Sequence, residues 1–147
     1  MNPNIKPSDQ VALLAVLDPK SQAAATVTTA YVSLAEVDAI LAVLKTGALG
    51  TSATVDAKLR QAKDSSGTDA KDIADKAITQ LVKADNDNDQ VMINCRSDEL
   101  DVNNGFTHVA LSVTVGTAAS LLDAFILGFY PRYQPKSHLA SVVEVVG

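Results

Sequence analysis

The 147-residue chain carries 12 Lys and Arg against 17 Asp and Glu, a formal charge of −5, and this balance argues against nucleic-acid binding, which needs a basic face for phosphates. Aromatic residues are 4% of the chain and tryptophan is absent, so stacking platforms for bases or sugars are poorly supplied. The length suits one domain that buries roughly two-thirds of the surface its unfolded form exposes, and one cysteine excludes a disulfide-stapled scaffold.

Residues 1–25 read as an N-terminal arm. Pro7 and Pro19 punctuate the apolar run Val11-Ala12-Leu13-Leu14-Ala15-Val16-Leu17, which either closes one end of the core or packs on another subunit. Its flanks, Lys6 and Asp9 before and Asp18-Pro19 after, do not match a secretion signal, and no run approaches the roughly 20 apolar residues that cross a bilayer. The expectation is a soluble protein used without export.

Thr26 to Val32, rich in β-branched residues, predicts a strand. Ile40 to Leu44 is continuously apolar and fits either a buried strand or a buried helix. Ser33 and Glu36 have capping-box spacing, and Leu34, Val37, Leu41 and Leu44 share a helical face. Gly47-Ala48-Leu49-Gly50 instead suggests a hairpin into the next segment. From Ala53 to Gln61 the pattern alternates, Val55, Ala57 and Leu59 on one side and Thr54, Asp56, Lys58 and Arg60 on the other, which predicts a half-buried strand. Asp64 to Asp69 is a polar loop. Lys71 to Val82 is again open between helix and strand, with Ile73, Ala77, Ile78 and Leu81 at helical spacings.

Asp85-Asn86-Asp87-Asn88-Asp89 begins like a calcium loop, but Gln90 stands where such a loop needs glycine and Arg96 where it needs a bidentate glutamate, so a solvated turn is expected and no metal site. Val91 to Arg96 predicts a strand with Cys95 on its apolar face, a small buried residue rather than a reactive thiol. Thr107 to Val115 alternates clearly, with Val109, Leu111, Val113 and Val115 inward and His108, Ala110, Ser112 and Thr114 outward, which makes His108 a solvent-side or interface residue. Gly116 to Ser120 then leads into the apolar run Leu121 to Tyr130. Pro131 and Pro135 end regular structure, and Val142, Val143, Val145 and Val146 make the last segment a candidate edge strand in need of a partner. Asp56, Asp72, Asp75 and Asp98 supply carboxylates without the spacing of a paired acid and base, so no catalytic residue and no cofactor is assigned and the chain reads as a non-enzyme.

Tyr31-Val32-Ser33-Leu34 through Val43, Gly47-Ala48-Leu49, Ala53 to Leu59, the loop Asp64 to Asp69 with Asp72-Ile73, and Val113-Thr114-Val115-Gly116-Thr117 resemble, as ordered segments, small tailed-bacteriophage virion proteins of the capsid decoration (cement) type. The resemblance spans roughly Ala25 to Arg132. This chain departs from several members in having Ala70 at an aromatic position, and it is unusually rich in alanine. The resemblance implies an all-β fold, a jelly-roll-like antiparallel β-sandwich of about eight strands. The alternative is α+β with helices at 34–45 and 71–82. It also implies three parts: an arm over 1–25, a sandwich over 26–132 and a tail over 133–147. The implied function is to bind the outside of a phage capsid and cement neighbouring major capsid subunits, as a dimer or trimer. The protein would be made in the host bacterial cytoplasm and lodged on the virion surface. A head-to-tail connector or neck protein is the second reading, favoured by the α+β alternative. Candidate partner contacts are Val11, Leu13, Leu14, Val16, Leu17, Val142, Val143, Val145 and Val146, apolar residues outside the span of the resemblance.

Overall fold

The three continuous apolar runs of the sequence fold into one sheet and the two clearest alternating segments into the other. The computed structural model describes residues 2–147. After one helical turn, α1 (Pro7–Gln10), come β1 (Val11–Gln22), β2 (Ala25–Thr28), β3 (Val32–Ser33), β4 (Val37–Thr46), β5 (Thr54–Ala62), β6 (Lys71–Ala77), β7 (Leu81–Val82), β8 (Gln90–Arg96), β9 (His108–Gly116) and β10 (Ser120–Pro131). Sheet A has the order β1-β10-β4-β8. Sheet B has the order β2-β9-β5-β6, with β3 also on β9 and β7 also on β5. Every pairing is antiparallel.

If β2 with β3, and β6 with β7, are taken as single interrupted strands, the sandwich has eight. The first pairs with the last, the second with the seventh, the third with the sixth and the fourth with the fifth. This nesting is what a long hairpin makes when it rolls into two layers, and it defines a jelly roll. The all-β expectation holds.

The helices entertained at 34–45 and 71–82 do not form. The first segment is β4, held between β10 and β8, and the second is β6 with β7 along β5. In β4 the alternation of a strand puts Ile40, Ala42 and Leu44 toward the core and Leu41 and Val43 away from it, so pairing along both edges and packing of one face in the core override the local helical spacing. Ser33 accepts the Ala35 amide at 3.2 Å instead of opening a helix.

The core lies between the sheets. Ile40, Leu44 and Ile126 of sheet A meet Val55, Leu59, Leu111 and Val113 of sheet B, all nearly inaccessible to water. Burying each such side chain stabilises the fold by about 1.5–3 kcal/mol.

Two other expectations need correction. Gly47 to Gly50 does not close a hairpin, because β4 and β5 lie in different sheets and the segment between them crosses from one layer to the other. The crossing Gly116–Ser120 does the same at the same end, and the two are tied together. Gly47 N–H donates to Leu121 O at 2.8 Å, Leu121 N–H to Ala48 O at 3.1 Å, and Gly50 N–H to Ser120 Oγ at 3.1 Å. A Cβ on Gly50 would stand 2.4 Å from Ala119 O, so glycine is required by the approach of the two backbones. The arm boundary at residue 25 also falls inside the sandwich. Val11–Gln22 is a strand of sheet A, paired with β10 along its length, because a strand at the sheet edge satisfies its backbone more fully than a detached apolar arm can.

Candidate interaction surfaces

Over three of its four strands sheet A is apolar on the face turned away from the core, whereas β8 places exposed Asn94 and Arg96 there. Its register sets three rows across β1, β10 and β4: Val11, Phe129 and Ala39; Leu13, Leu127 and Leu41; Val16, Phe125 and Val43. Met92 on β8 stands beside Val43 and is 63% exposed. None of these residues belongs to the core cluster between the sheets. Most are half-buried, and among the described residues no strand or helix forms a layer over them.

The sequence-predicted contacts therefore divide. Val11, Leu13 and Val16 stand on the outer face, whereas Leu14 and Leu17 turn inward and pack on the core. A bulge between Leu13 and Ala15 shifts the register, and Leu14 reaches into space left by Gly128, where a Cβ would stand 2.7 Å from its Cδ1. Phe125, Leu127, Phe129, Leu41, Val43 and Met92 were not singled out from sequence. The signal was present, because an apolar run unbroken at both parities marks a strand with two apolar faces.

The second surface is the free edge of β1. Leu139 N–H donates to Leu13 O at 2.8 Å, and Leu13 N–H donates to His138 Nδ1 at 3.2 Å, while His138 Nε2 lies 3.1 Å from Ser8 O. With Nδ1 accepting, the ring's proton is on Nε2 and is donated to Ser8 O. Residues 137–147 thus touch the sheet edge at one point and then leave it without forming a strand. Val142 is half-buried, Val145 is exposed, and Val143 and Val146 are 96% and 88% exposed.

No protein-family model and no curated protein matches the chain. In fold the chain is similar to the solved structure of cowpea mosaic virus top component, the naturally occurring empty particles, at 12% identity and a TM-score of 0.47, over 86% of each chain. It is similar to infectious bursal disease virus Gt strain at 10% identity and a TM-score of 0.45, over 92% of this chain and 37% of that chain. It is also similar to a xylan-binding module at 9% identity and a TM-score of 0.39, over 88% of this chain and 96% of that one. Virus particles and a sugar-binding module stand side by side in this set, and the likeness concerns the arrangement of strands alone.

The remaining polar residues of interest have local partners. Asp87 Oδ1 accepts the Leu49 amide at 2.8 Å and Asp87 Oδ2 meets Lys83 Nζ at 2.5 Å, and these hydrogen bonds, the lysine's first, hold the carboxyl below its usual range. Asn86 Oδ1 accepts the Val82 amide, and its Nδ2 donates to Asp89. The acidic run is a turn that braces the crossing at Leu49. Among the described residues, no group of three or more His, Cys, Asp or Glu side chains is placed to hold a metal ion. No helix among them is long and apolar enough to cross a membrane. Cys95 is buried, and burial, followed by the Glu99 charge, pushes its thiol up to about 11, far from a reactive thiolate at neutral pH. His108 is on the outer face of sheet B, 2.9 Å from Thr107 Oγ1.

Proposed function

We propose that the chain is a structural protein of a phage particle that binds the outside of the capsid and cements neighbouring major capsid subunits. On this reading it is made in the bacterial cytoplasm and carried on the virion surface. The observation that supports it is the valine segment at 142–146, whose Val143 and Val146 are almost wholly exposed at the end of a segment already started along the β1 edge. Apolar side chains in that position gain by laying a strand on a neighbour, where main-chain hydrogen bonds provide affinity with little demand on side-chain identity. Many weak contacts of this kind on a repeating lattice add up through multivalency, and binding only the assembled lattice stabilises it by mass action. The ordered segments that resemble decoration proteins point the same way. The connector reading drew on helices at 34–45 and 71–82, and these are strands.

The test is reattachment. Particles of the encoding phage, stripped of the protein under mild conditions, should take up the full-length chain to a fixed ratio with the major capsid protein and should not take up a chain lacking Ser137–Gly147. An image reconstruction should place the sandwich on the outer shell. Absence from washed particles, or density confined to the neck, would overturn the proposal.

A further inference from the structure

We infer that two copies of this chain associate through the outer face of sheet A, packing β1, β10 and β4 of one copy on the same strands of the other. The inference concerns the free protein and does not require attachment to a shell.

Size is the first argument. Three strands span about 14 Å and eight residues of β10 about 27 Å, so the apolar face covers roughly 400 Å² in projection, and side-chain relief adds to this. Two copies then bury roughly 800 Å² in projection and on the order of 1,000 Å² with relief, where specific interfaces begin. Phe125, Leu127 and Phe129 form the ridge along the middle strand, flanked by shorter side chains such as Val11 and Ala39 on either side. Sheets that pack face to face lie about 10 Å apart with their strands aligned to within about 30°, the same geometry the chain already uses between its own sheets.

Charge identifies the occupant. Most ionised groups that border the rows are paired within the chain: Lys45 lies 3.5 Å from Asp123 at one end, and at the other Arg132 lies 3.3 Å from Asp38 and Arg96 3.1 Å from Asp98. Asp18 and Lys20, close together on β1, add one charge of each sign. An anionic lipid surface or a polyanion would need a cluster of unpaired basic groups around the apolar rows, and Lys45, Arg132 and Arg96 are already engaged, which leaves Lys20 with Asp18 two residues away. Two copies of a chain with net charge −5 repel one another, and they repel least where the charges cancel locally. A two-fold contact sets each patch against itself, so an apolar, locally neutral patch is its own complement.

The experiment is sedimentation equilibrium of the full-length chain from micromolar to millimolar concentration, with Leu127→Lys in the centre of the face and Met92→Lys at its rim. Thr26→Lys, on the outer face of sheet B, is the control. The wild-type chain and Thr26→Lys should dimerise alike. Leu127→Lys should raise the dissociation constant by about tenfold or more, and Met92→Lys should raise it by less. Circular dichroism reports whether each variant is folded. If Leu127→Lys unfolds, the exposed Met92 position decides alone. A wild-type chain that stays monomeric, or a dimer that survives both substitutions or is lost equally with Thr26→Lys, would overturn the inference.

Discussion

The outward faces of the two sheets occupy equivalent places in the sandwich and carry opposite chemistry. On sheet B the rows are Thr26, Thr114 and Asp56, then Thr28, Ser112 and Lys58. Their polar atoms are paired: Thr26 with Thr114 at 2.8 Å, Asp56 with Gln80 at 2.7 Å, and Lys58 with Asp72 at 2.7 Å. On sheet A the corresponding row is Val16, Phe125 and Val43, with no side-chain donor or acceptor among them. The core is the same for both sheets, so the apolar rows of sheet A add nothing to the inside of the molecule. A chain that needed only to fold would gain solubility from polar residues there, and the contrast assigns sheet B to water and sheet A to assembly.

The largest expected effect tests whether the sheet A rows are spare to the fold, using adjacent residues of one strand. Ile126→Ala empties a fully buried site and should cost about 2–5 kcal/mol, whereas Leu127→Ala should cost the dilute monomer less than about 1 kcal/mol. Chemical denaturation at low concentration measures both. Equal losses would mean that the rows are buried in the monomer and the contrast is false.

Next is the joint that keeps the faces opposed. Gly50→Ala drives a methyl group against Ala119 O, which cannot swing aside as a side-chain tip can, and should cost about 1–3 kcal/mol in thermal or denaturant unfolding. An unchanged melting curve would show that the two crossings are not tightly coupled.

On sheet B, Asp72 bridges Lys58 and Arg60, at 2.7 and 3.2 Å, in a half-exposed setting. Asp72→Asn should cost about 0.2–1 kcal/mol, and less at high salt. The Lys58 hydrogen bond, above all, holds the Asp72 carboxyl below its usual range. Its contribution is therefore full above the ordinary carboxylate range and is lost as pH falls through the lowered folded value. Stability curves in acid should flatten in Asp72→Asn and keep their slope in Leu127→Ala. The reverse pattern would break the assignment of polar chemistry to sheet B.

The smallest effect concerns the edge of sheet A. His138→Ala removes the acceptor for the Leu13 amide and should speed hydrogen exchange there, with global stability changed by no more than about 0.5 kcal/mol. Unaltered exchange at Leu13 would mean that residues 137–147 hold the edge by other contacts.

Half of this design was legible in the chain. The alternation over 53–61 and 107–115 placed Val55, Ala57, Leu59, Val109, Leu111, Val113 and Val115 inside, and they are inside, because a strand's side-chain period is a local property of the backbone. The runs 11–17, 40–44 and 121–130 showed apolar residues at both parities, without separating strand from helix at 40–44, and three of the five N-terminal candidates, Val11, Leu13 and Val16, stand on the outer face. Phe125, Leu127 and Phe129 carried the same signal and were passed over, since their run alone does not say which parity meets the core.

The sequence by itself determined the two alternating strands, which of their residues face the core, and that three segments hold more apolar surface than one core face can take. Only the tertiary structure decided that those three segments lie side by side in one sheet and that Gly47 to Gly50 crosses between layers. It also decided that β4 and β6 are strands despite helical spacings. These outcomes depend on pairings such as Val11 with Phe129 and Leu13 with Leu127, between segments at opposite ends of the chain. A local window contains neither partner's register nor the loop-closure entropy that long-range pairing must overcome, so the choice is made when the whole sandwich closes.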